Sequence, residues 1–173
     1  MNIEHLKSSI RNVPDFPKPG IQFKDITTLL QDTDVFQETI DIFYQQFKDK
    51  EIETVVGIES RGFIFAAPLV LKLGCSIVIA RKPGKLPYES VKEEYQLEYG
   101  TDAIEMHKDA INEGDRILIV DDLLATGGTA KATGSLVEIL GGKIVSFAFL
   151  INLVDLKGVE KLKPHHVFSI VDF

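Results

Sequence analysis

The sequence predicts an α/β fold, an open, mostly parallel twisted sheet with helices on both faces. Three observations predict it. Four short runs, "TVVGI" (54–58), "SIVIA" (76–80), "RILIVDD" (116–122) and "KIVSFAFLIN" (143–152), are aliphatic throughout instead of at every second position, the pattern of strands covered on both sides. Stretches with helical spacing lie between them, and that alternation belongs to a layered sheet with crossover helices. Turn signals such as "NEGD" (112–115) and Gly141-Gly142 mark the boundaries.

Taken in order, Ile3, Leu6 and Ile10 recur at helical spacing before a break at "PDFPKPG" (14–20). Asp34 with Gln37 resembles a capping box, opening a helix whose Val35, Phe36, Ile40, Phe43 and Phe47 form one apolar stripe. Strand 54–58 leads to a helix over 63–73, then to strand 76–80. The stretch 82–98, "KPGKLPYESVKEEYQLE", is polar, lacks clear periodicity and carries Pro83 and Pro87; it reads as a mobile lid, which would shield a reactive substrate from water. Strand 116–122 follows, then a helix over 129–140 ended by the glycine pair, then strand 143–152.

Composition bounds the function. With 173 residues, 45% hydrophobic and 26% charged, the chain is one domain able to bury roughly two thirds of its unfolded surface. No aliphatic run approaches the ~20 residues of a membrane span, and Met1 leads into a polar, helix-like segment unlike a signal peptide, so a cytoplasmic location is expected. The net charge of -7 argues against an extended nucleic-acid or membrane surface. The lone Cys75, at the start of a strand, is expected to be buried filler. His5, His107, His165 and His166 lack metal-ligand spacing and are expected to be solvated.

The chemistry concentrates in "ILIVDDLLATGGTA" (117–130). Two adjacent carboxylates at the end of a buried strand are expensive unless they hold something. In open α/β sheets ligands settle beyond the carboxyl ends of the strands, and two loops lie there, "ESRG" (59–62) and "LLATGGT" (123–129). Ala125, Thr126, Gly127, Gly128 and Thr129 bring amide groups and two hydroxyls to a helix start, which favours a phosphate. Asp121 and Asp122 are acceptors only, suited to sugar hydroxyls or magnesium. Together they describe a ribose 5-phosphate. A solvated acidic turn before a glycine-rich helix start is the plainer alternative, and no Lys follows the glycines as in a Walker loop.

That arrangement closely resembles the phosphoribosyl diphosphate signature of the type I phosphoribosyltransferases: hydrophobic strand, two acids, then A-T-G-G-T. "DFPKPGIQFKDITTLL" (15–30), "GIESRGFIF" (57–65), "RKPGKLP" (81–87), "YQLEYG" (95–100) and "MHKDAI" (106–111) agree in order with the adenine-using members of that family. The resemblance implies that adenine and phosphoribosyl diphosphate give AMP and pyrophosphate, with magnesium held through the substrate near Asp121 and Asp122 and not by direct protein ligation. It implies a small N-terminal base-binding hood over 1–30 within a single domain of 1–173.

Site roles follow from the same resemblance. Glu59, Ser60 and Arg61 belong to the pyrophosphate loop, where Arg61 suits bidentate phosphate contact. Arg81, Lys82 and Lys85 add positive charge there, although "RKPGK" alone also reads as a solvated charge run. The lid covers the diphosphate, partly through a neighbouring subunit, so a homodimer is implied, with Lys82 reaching across. Gln22 and Lys24 are expected to read adenine chiefly through their main chain, and Ile21 and Phe23 through packing. Lys24 stands where many members carry Arg, so the base reading carries over and a guanidinium contact to phosphate does not. Glu98 matches the acid that contacts adenine's imidazole ring; without "LEYG" it would be one more carboxylate beside Glu93 and Glu94. Tyr99 is left outside catalysis. Two other readings stay open: a non-catalytic purine sensor on the same fold, against which the acidic charge and the absence of a helix-turn-helix segment argue, and an enzyme for a different purine.

Overall fold

The computed structural model describes residues 3–96 and 100–173. The chain forms two compact units, residues 1–42 and 43–173.

In the first unit, α1 (Ile3–Ser8) precedes a two-stranded antiparallel hairpin of β1 (Arg11–Pro14) and β2 (Gln22–Asp25). The break at "PDFPKPG" is the hairpin's connection. Asp15 adopts a left-handed φ of 58° and Gly20 one of 88°, and Asp15 Oδ1 accepts the Gly20 N–H at 2.7 Å, so the loop closes on its own side chain. Phe16 and Phe23 meet edge to face at 5.1 Å. α2 (Thr27–Gln31) and α3 (Thr33–Phe47) follow. The capping residue of α3 is Asp32 and not Asp34: its Oδ1 accepts the Asp34 and Val35 N–H groups at 3.1 and 3.2 Å. An aspartate one residue before the first helical position serves those otherwise unpaired donors better than one already inside the helix.

The second unit carries the sheet. β3 (Thr54–Ile58), β4 (Ser76–Ala80), β7 (Arg116–Leu124), β8 (Lys143–Asn152) and β9 (Val167–Asp172) form a five-stranded sheet in the order β4-β3-β7-β8-β9, every pairing parallel. α4 (Gly62–Leu73) connects β3 to β4 on one side, and α5 (Gly128–Ile139) connects β7 to β8 on the other. Right-handed crossovers running in opposite directions place the two helices on opposite faces. Alternate strand residues divide accordingly. Val56, Ile58, Ile117, Ile119, Phe147 and Phe149 pack with Leu136 and Val137 of α5, while Phe43, Phe47, Phe65 and Phe168 interlock edge to face on the other side.

Three parts of this unit differ from expectation. Within the expected lid, β5 (Ser90–Gln96) pairs antiparallel with β6 (Thr101–His107) from Ser90↔His107 to Gln96↔Thr101. Its single deeply buried residue, Tyr95, is too weak a periodic signal to read from sequence, and the partner strand supplies the order. β4 is an edge strand, with Ile77 and Ile79 exposed, and Cys75 just before it is half-buried, its thiol pushed up by desolvation. The histidines are not merely solvated: Nδ1 of His166 lies 2.9 Å from Ser146 Oγ, His165 pairs with Glu138 at 3.4 Å, and Nε2 of His107 is buried. No described helix is long and apolar enough to cross a membrane.

Candidate active site

Strand order reverses between β3 and β7, because the chain leaves β3 toward β4 and later leaves β7 toward β8. A crevice opens at such a point, beyond the carboxyl ends of the strands. The register defines it: β3 accompanies β7 only as far as Gly57↔Val120, whereas β8 continues beside Asp121 to Leu124↔Asn152. Asp121 and Asp122 thus protrude past the end of β3, where that strand has turned into the 59–61 loop.

Close approach of backbone shapes this rim. A Cβ on Gly62 would stand 2.7 Å from the Val120 carbonyl and 3.0 Å from Asp121 Oδ1, so only glycine lets α4 begin against the acids. Asp121 Oδ1 accepts the Asp122 N–H at 2.8 Å. Arg61 Nε lies 3.0 Å from Asp122 Oδ2, an ion-pair distance without hydrogen-bond alignment. That oxygen is buried and accepts no hydrogen bond among the described residues. Burial raises the Asp121 carboxyl well above the carboxylate range, and the charge of Asp122 raises it further. Burial also raises Asp122, against the opposing pull of Arg61.

The phosphate loop lies directly after. Gly127, with φ 77°, is the N-cap of α5 and offers no side-chain acceptor to the first-turn amides, which leaves them for an anion. Asp121, Leu123 and Ala125 to Ala130 line a cavity of about 220 Å³. The loop is braced from behind by Gly158, the first residue of the short helix α6 (Gly158–Lys161). A Cβ on Gly127 would come within 2.7 Å of the Gly158 carbonyl, and one on Gly158 within 2.2 Å of the Ala125 carbonyl. Neither Gly62 nor Gly158 is singled out by sequence reasoning; the available signal is a glycine opening a helix where no turn requires one.

The basic residues gather around one carboxylate. Glu59, only 8% exposed, lies 3.4 Å from Arg81 Nε, accepts the Lys82 N–H at 2.7 Å and pairs closely with Lys85 Nζ. Burial would raise its pKa, but Lys85, the Lys82 amide and Arg81 hold it below the usual carboxylate value. Ser60 is exposed between Glu59 and Arg61, and the Glu59–Ser60 peptide is cis. The Lys82 ammonium pairs with Asp102 and with Tyr95 Oη, partners that sequence reasoning missed. Desolvation opposes the Lys82 charge, but Asp102 and Tyr95 outweigh it and hold its pKa above the usual lysine value.

The structure thus brings Arg61 to Asp122, gathers Arg81, Lys82 and Lys85 around Glu59, and sets Asp121 beside the 125–129 loop. Ile21, Gln22, Phe23 and Lys24 lie in the first unit, at and just before β2. There Asn12 Nδ2 donates to Gln22 Oε1 at 2.7 Å, and Lys24 Nζ donates to Asn12 Oδ1 at 3.0 Å. Glu98 and Tyr99 lie outside the described residues. Among the described residues no three His, Cys, Asp or Glu side chains converge as a metal cage.

Comparison with known proteins agrees with this geometry. The phosphoribosyl transferase domain family matches residues 25–172. An adenine phosphoribosyltransferase of Chloroflexus aurantiacus is 53% identical over 173 residues, covering all of both chains. The crystal structure of adenine phosphoribosyltransferase from Thermoanaerobacter pseudethanolicus superposes with a TM-score of 0.97 at 48% identity, over 99% of this chain and 100% of that one. The Saccharomyces cerevisiae enzyme, complexed with D-2,5-dideoxy-2,5-imino-altritol 1,6-bisphosphate and adenine, gives 0.93 at 41% identity over 98% of each chain. The family match over residues 25–172 and the full-length identity with these relatives settle the lineage: the chain belongs to the phosphoribosyltransferase family and, within it, to the adenine phosphoribosyltransferases.

Proposed function

We propose that this chain transfers the 5-phosphoribosyl group of phosphoribosyl diphosphate to adenine, giving AMP and pyrophosphate. The observation that carries the reading is the pairing of a buried carboxylate oxygen, Asp122 Oδ2, which meets Arg61 as an ion pair but accepts no hydrogen bond among the described residues, with a helix start that has no side-chain cap. Sugar hydroxyls and a phosphate are the partners those groups lack.

In this reading the bond from C1′ to the diphosphate oxygen breaks while one from C1′ to adenine N9 forms, through a state resembling an oxocarbenium ion. Asp121 and Asp122 accept hydrogen bonds from the ribose hydroxyls, and their negative charge favours the cationic sugar. The amides and hydroxyls of Ala125, Thr126, Gly127, Gly128 and Thr129 hold the 5′-phosphate. Ser60, Arg61, Arg81, Lys82 and Lys85 face the departing pyrophosphate, with Glu59 orienting the cations. Gln22 and Lys24, their side chains engaged by Asn12, present main-chain groups to the base, with Ile21 and Phe23 packing against it. Glu98 holds or accepts the proton at adenine's imidazole nitrogens. Asp121 and Asp122 offer oxygen donors beside which magnesium would be held mainly through substrate oxygens; when bound, it would supply charge neutralisation on the leaving group. A homodimer and a cytoplasmic location complete the proposal.

The test is to mix the protein with magnesium, phosphoribosyl diphosphate and adenine, guanine, hypoxanthine, xanthine, uracil or orotate in turn. Adenine is expected to yield nucleotide and pyrophosphate. Turnover of another base with none from adenine refutes the proposal.

A further inference from the structure

Tyr95 touches both the proposed phosphate loop and one of the cations assigned to the diphosphate. Tyr95, on β5, is 8% exposed. One edge of its ring lies against the first residue of α5: a Cβ on Gly128 would stand 3.3 Å from Tyr95 Cδ2. At the other end, its hydroxyl accepts from Lys82 Nζ at 2.7 Å and donates to Asp102 Oδ2 at 3.2 Å. Lys82 Nζ is 5.3 Å from the ring centroid, so the ammonium sits beyond the hydroxyl and not over the ring face. The contact is therefore a charge-assisted hydrogen bond and not a cation–π interaction.

We propose that Tyr95 is a positioning residue that, anchored against Gly128 of the phosphate loop, orders the Lys82 ammonium before the diphosphate binds. The inference rests on the reading of Lys82 as a diphosphate ligand. A lysine side chain has many rotamers, and fixing one ahead of binding removes an entropic cost that the substrate would otherwise meet. The strut supplies that order. Its ring is clamped at Gly128, its hydroxyl is aimed by Asp102, and the Lys82 main chain is tied down separately by the Glu59 carboxylate at 2.7 Å. What remains is the ammonium's direction, which Tyr95 Oη sets together with Asp102, itself paired directly with Lys82 Nζ.

A kinetic double-mutant cycle tests this. Tyr95→Phe keeps the ring against Gly128 and removes only the hydroxyl. It is expected to raise KM for phosphoribosyl diphosphate roughly tenfold, with KM for adenine within about twofold and kcat changed less than KM. In a Lys82→Met background the same change is expected to add less than about twofold, because the group it orients is gone. Asp102→Asn, which leaves the ring untouched, should show the same dependence on Lys82. An equal rise in both backgrounds, or no rise from Tyr95→Phe in a protein whose Lys82→Met variant is impaired, overturns the inference alone. A Lys82→Met variant with unaltered KM for phosphoribosyl diphosphate overturns the reading of Lys82 and the inference with it.

Discussion

Gly158→Ala is the perturbation that most directly tests whether the 125–129 loop holds the substrate's phosphate, because it acts on the loop from behind. Gly158 does not have a positive φ, so alanine is acceptable to its backbone and the whole effect is steric. The new Cβ would meet the Ala125 carbonyl at 2.2 Å and two Leu124 side-chain carbons at 3.0 Å. To restore even a 3.0 Å contact the carbonyl must retreat by roughly 0.8 Å, carrying with it the peptide that leads into Thr126. Misplacement near 1 Å costs up to about 10²-fold in rate. Overpacking of this kind also costs about 1–3 kcal/mol in stability, and about 2–4 °C in Tm per kcal/mol for a chain of this size. The expected outcome is a fall of about 10–100-fold in kcat/KM for phosphoribosyl diphosphate, with KM for adenine nearly unchanged. AMP formation, followed at saturating adenine with the diphosphate varied and normalised by a thermal melt, measures it. Wild-type kcat/KM at an unaltered Tm would show that the carbonyl does not need to be where it is, and the loop assignment would fall.

Asp121→Asn or Asp122→Asn should weaken use of phosphoribosyl diphosphate much more than adenine affinity, and equal effects in steady-state assays would contradict their placement on the sugar. Asp121→Asn should at the same time raise Tm at neutral pH. Folding raises this carboxyl's pKa, so ionisation above the ordinary carboxylate range penalises the native state, and asparagine mimics the protonated form; a gain of about 2–4 °C is expected for each kcal/mol relieved. Glu59→Gln should act with the opposite sign. The native pKa of Glu59 is lowered, so its stabilisation is present above the unfolded value and is lost as pH falls through the folded one. The variant should therefore be less stable at pH 7, converge with wild type in acid, and show a raised KM for phosphoribosyl diphosphate; parallel melting curves from pH 7 down to about pH 3 would disprove this. Glu98→Gln should lower turnover at saturating substrates by about 10²–10⁴-fold if proton transfer is its role, and unchanged turnover would leave it a packing residue.

The parts of the fold legible in the sequence are those whose physics is local or whose burial is complete. "TVVGI", "SIVIA" and "KIVSFAFLIN" coincide with β3, β4 and β8 residue for residue; β3 and β8 are interior strands whose coverage on both faces leaves continuous aliphatic runs, whereas β4 is aliphatic throughout although its edge position leaves Ile77 and Ile79 exposed. The short hairpins β1–β2 and β5–β6 were not legible. β1, β2 and β5 are polar and hold one deeply buried residue, Tyr95, among them, so no alternation marks them, and their order comes from pairing with the neighbouring strand of the hairpin. The strand β9 was hidden for a related reason, being an edge strand with half-buried residues. At the site, the acids and the glycine loop could be read because one contiguous stretch holds them. The lock between Tyr95, Asp102 and Lys82, and the backbone contact between Gly158 and Ala125, join segments brought together only by the fold. No spacing in the chain announces either.

Charge pairing explains how a chain of net charge -7 can hold a polyanion. Every cation assigned to the diphosphate end has a carboxylate beside it: Arg61 has Asp122, Arg81 and Lys85 share Glu59, and Lys82 has Asp102. Without those acids the cations would repel one another across the mouth of the crevice and their side chains would scatter. With them, the cations are oriented before the substrate arrives, and the ordering cost falls on folding instead of on binding. The same pairing sets a threshold for admission. A single phosphate competing for one lysine exchanges one anion for another with little gain, whereas a diphosphate that engages several cations at once can displace their local partners together. Selectivity for the polyanion then comes from the number of simultaneous exchanges. An empty site that is nearly neutral, and not strongly positive, also binds weakly to stray nucleic acid, as the acidic surface around it requires.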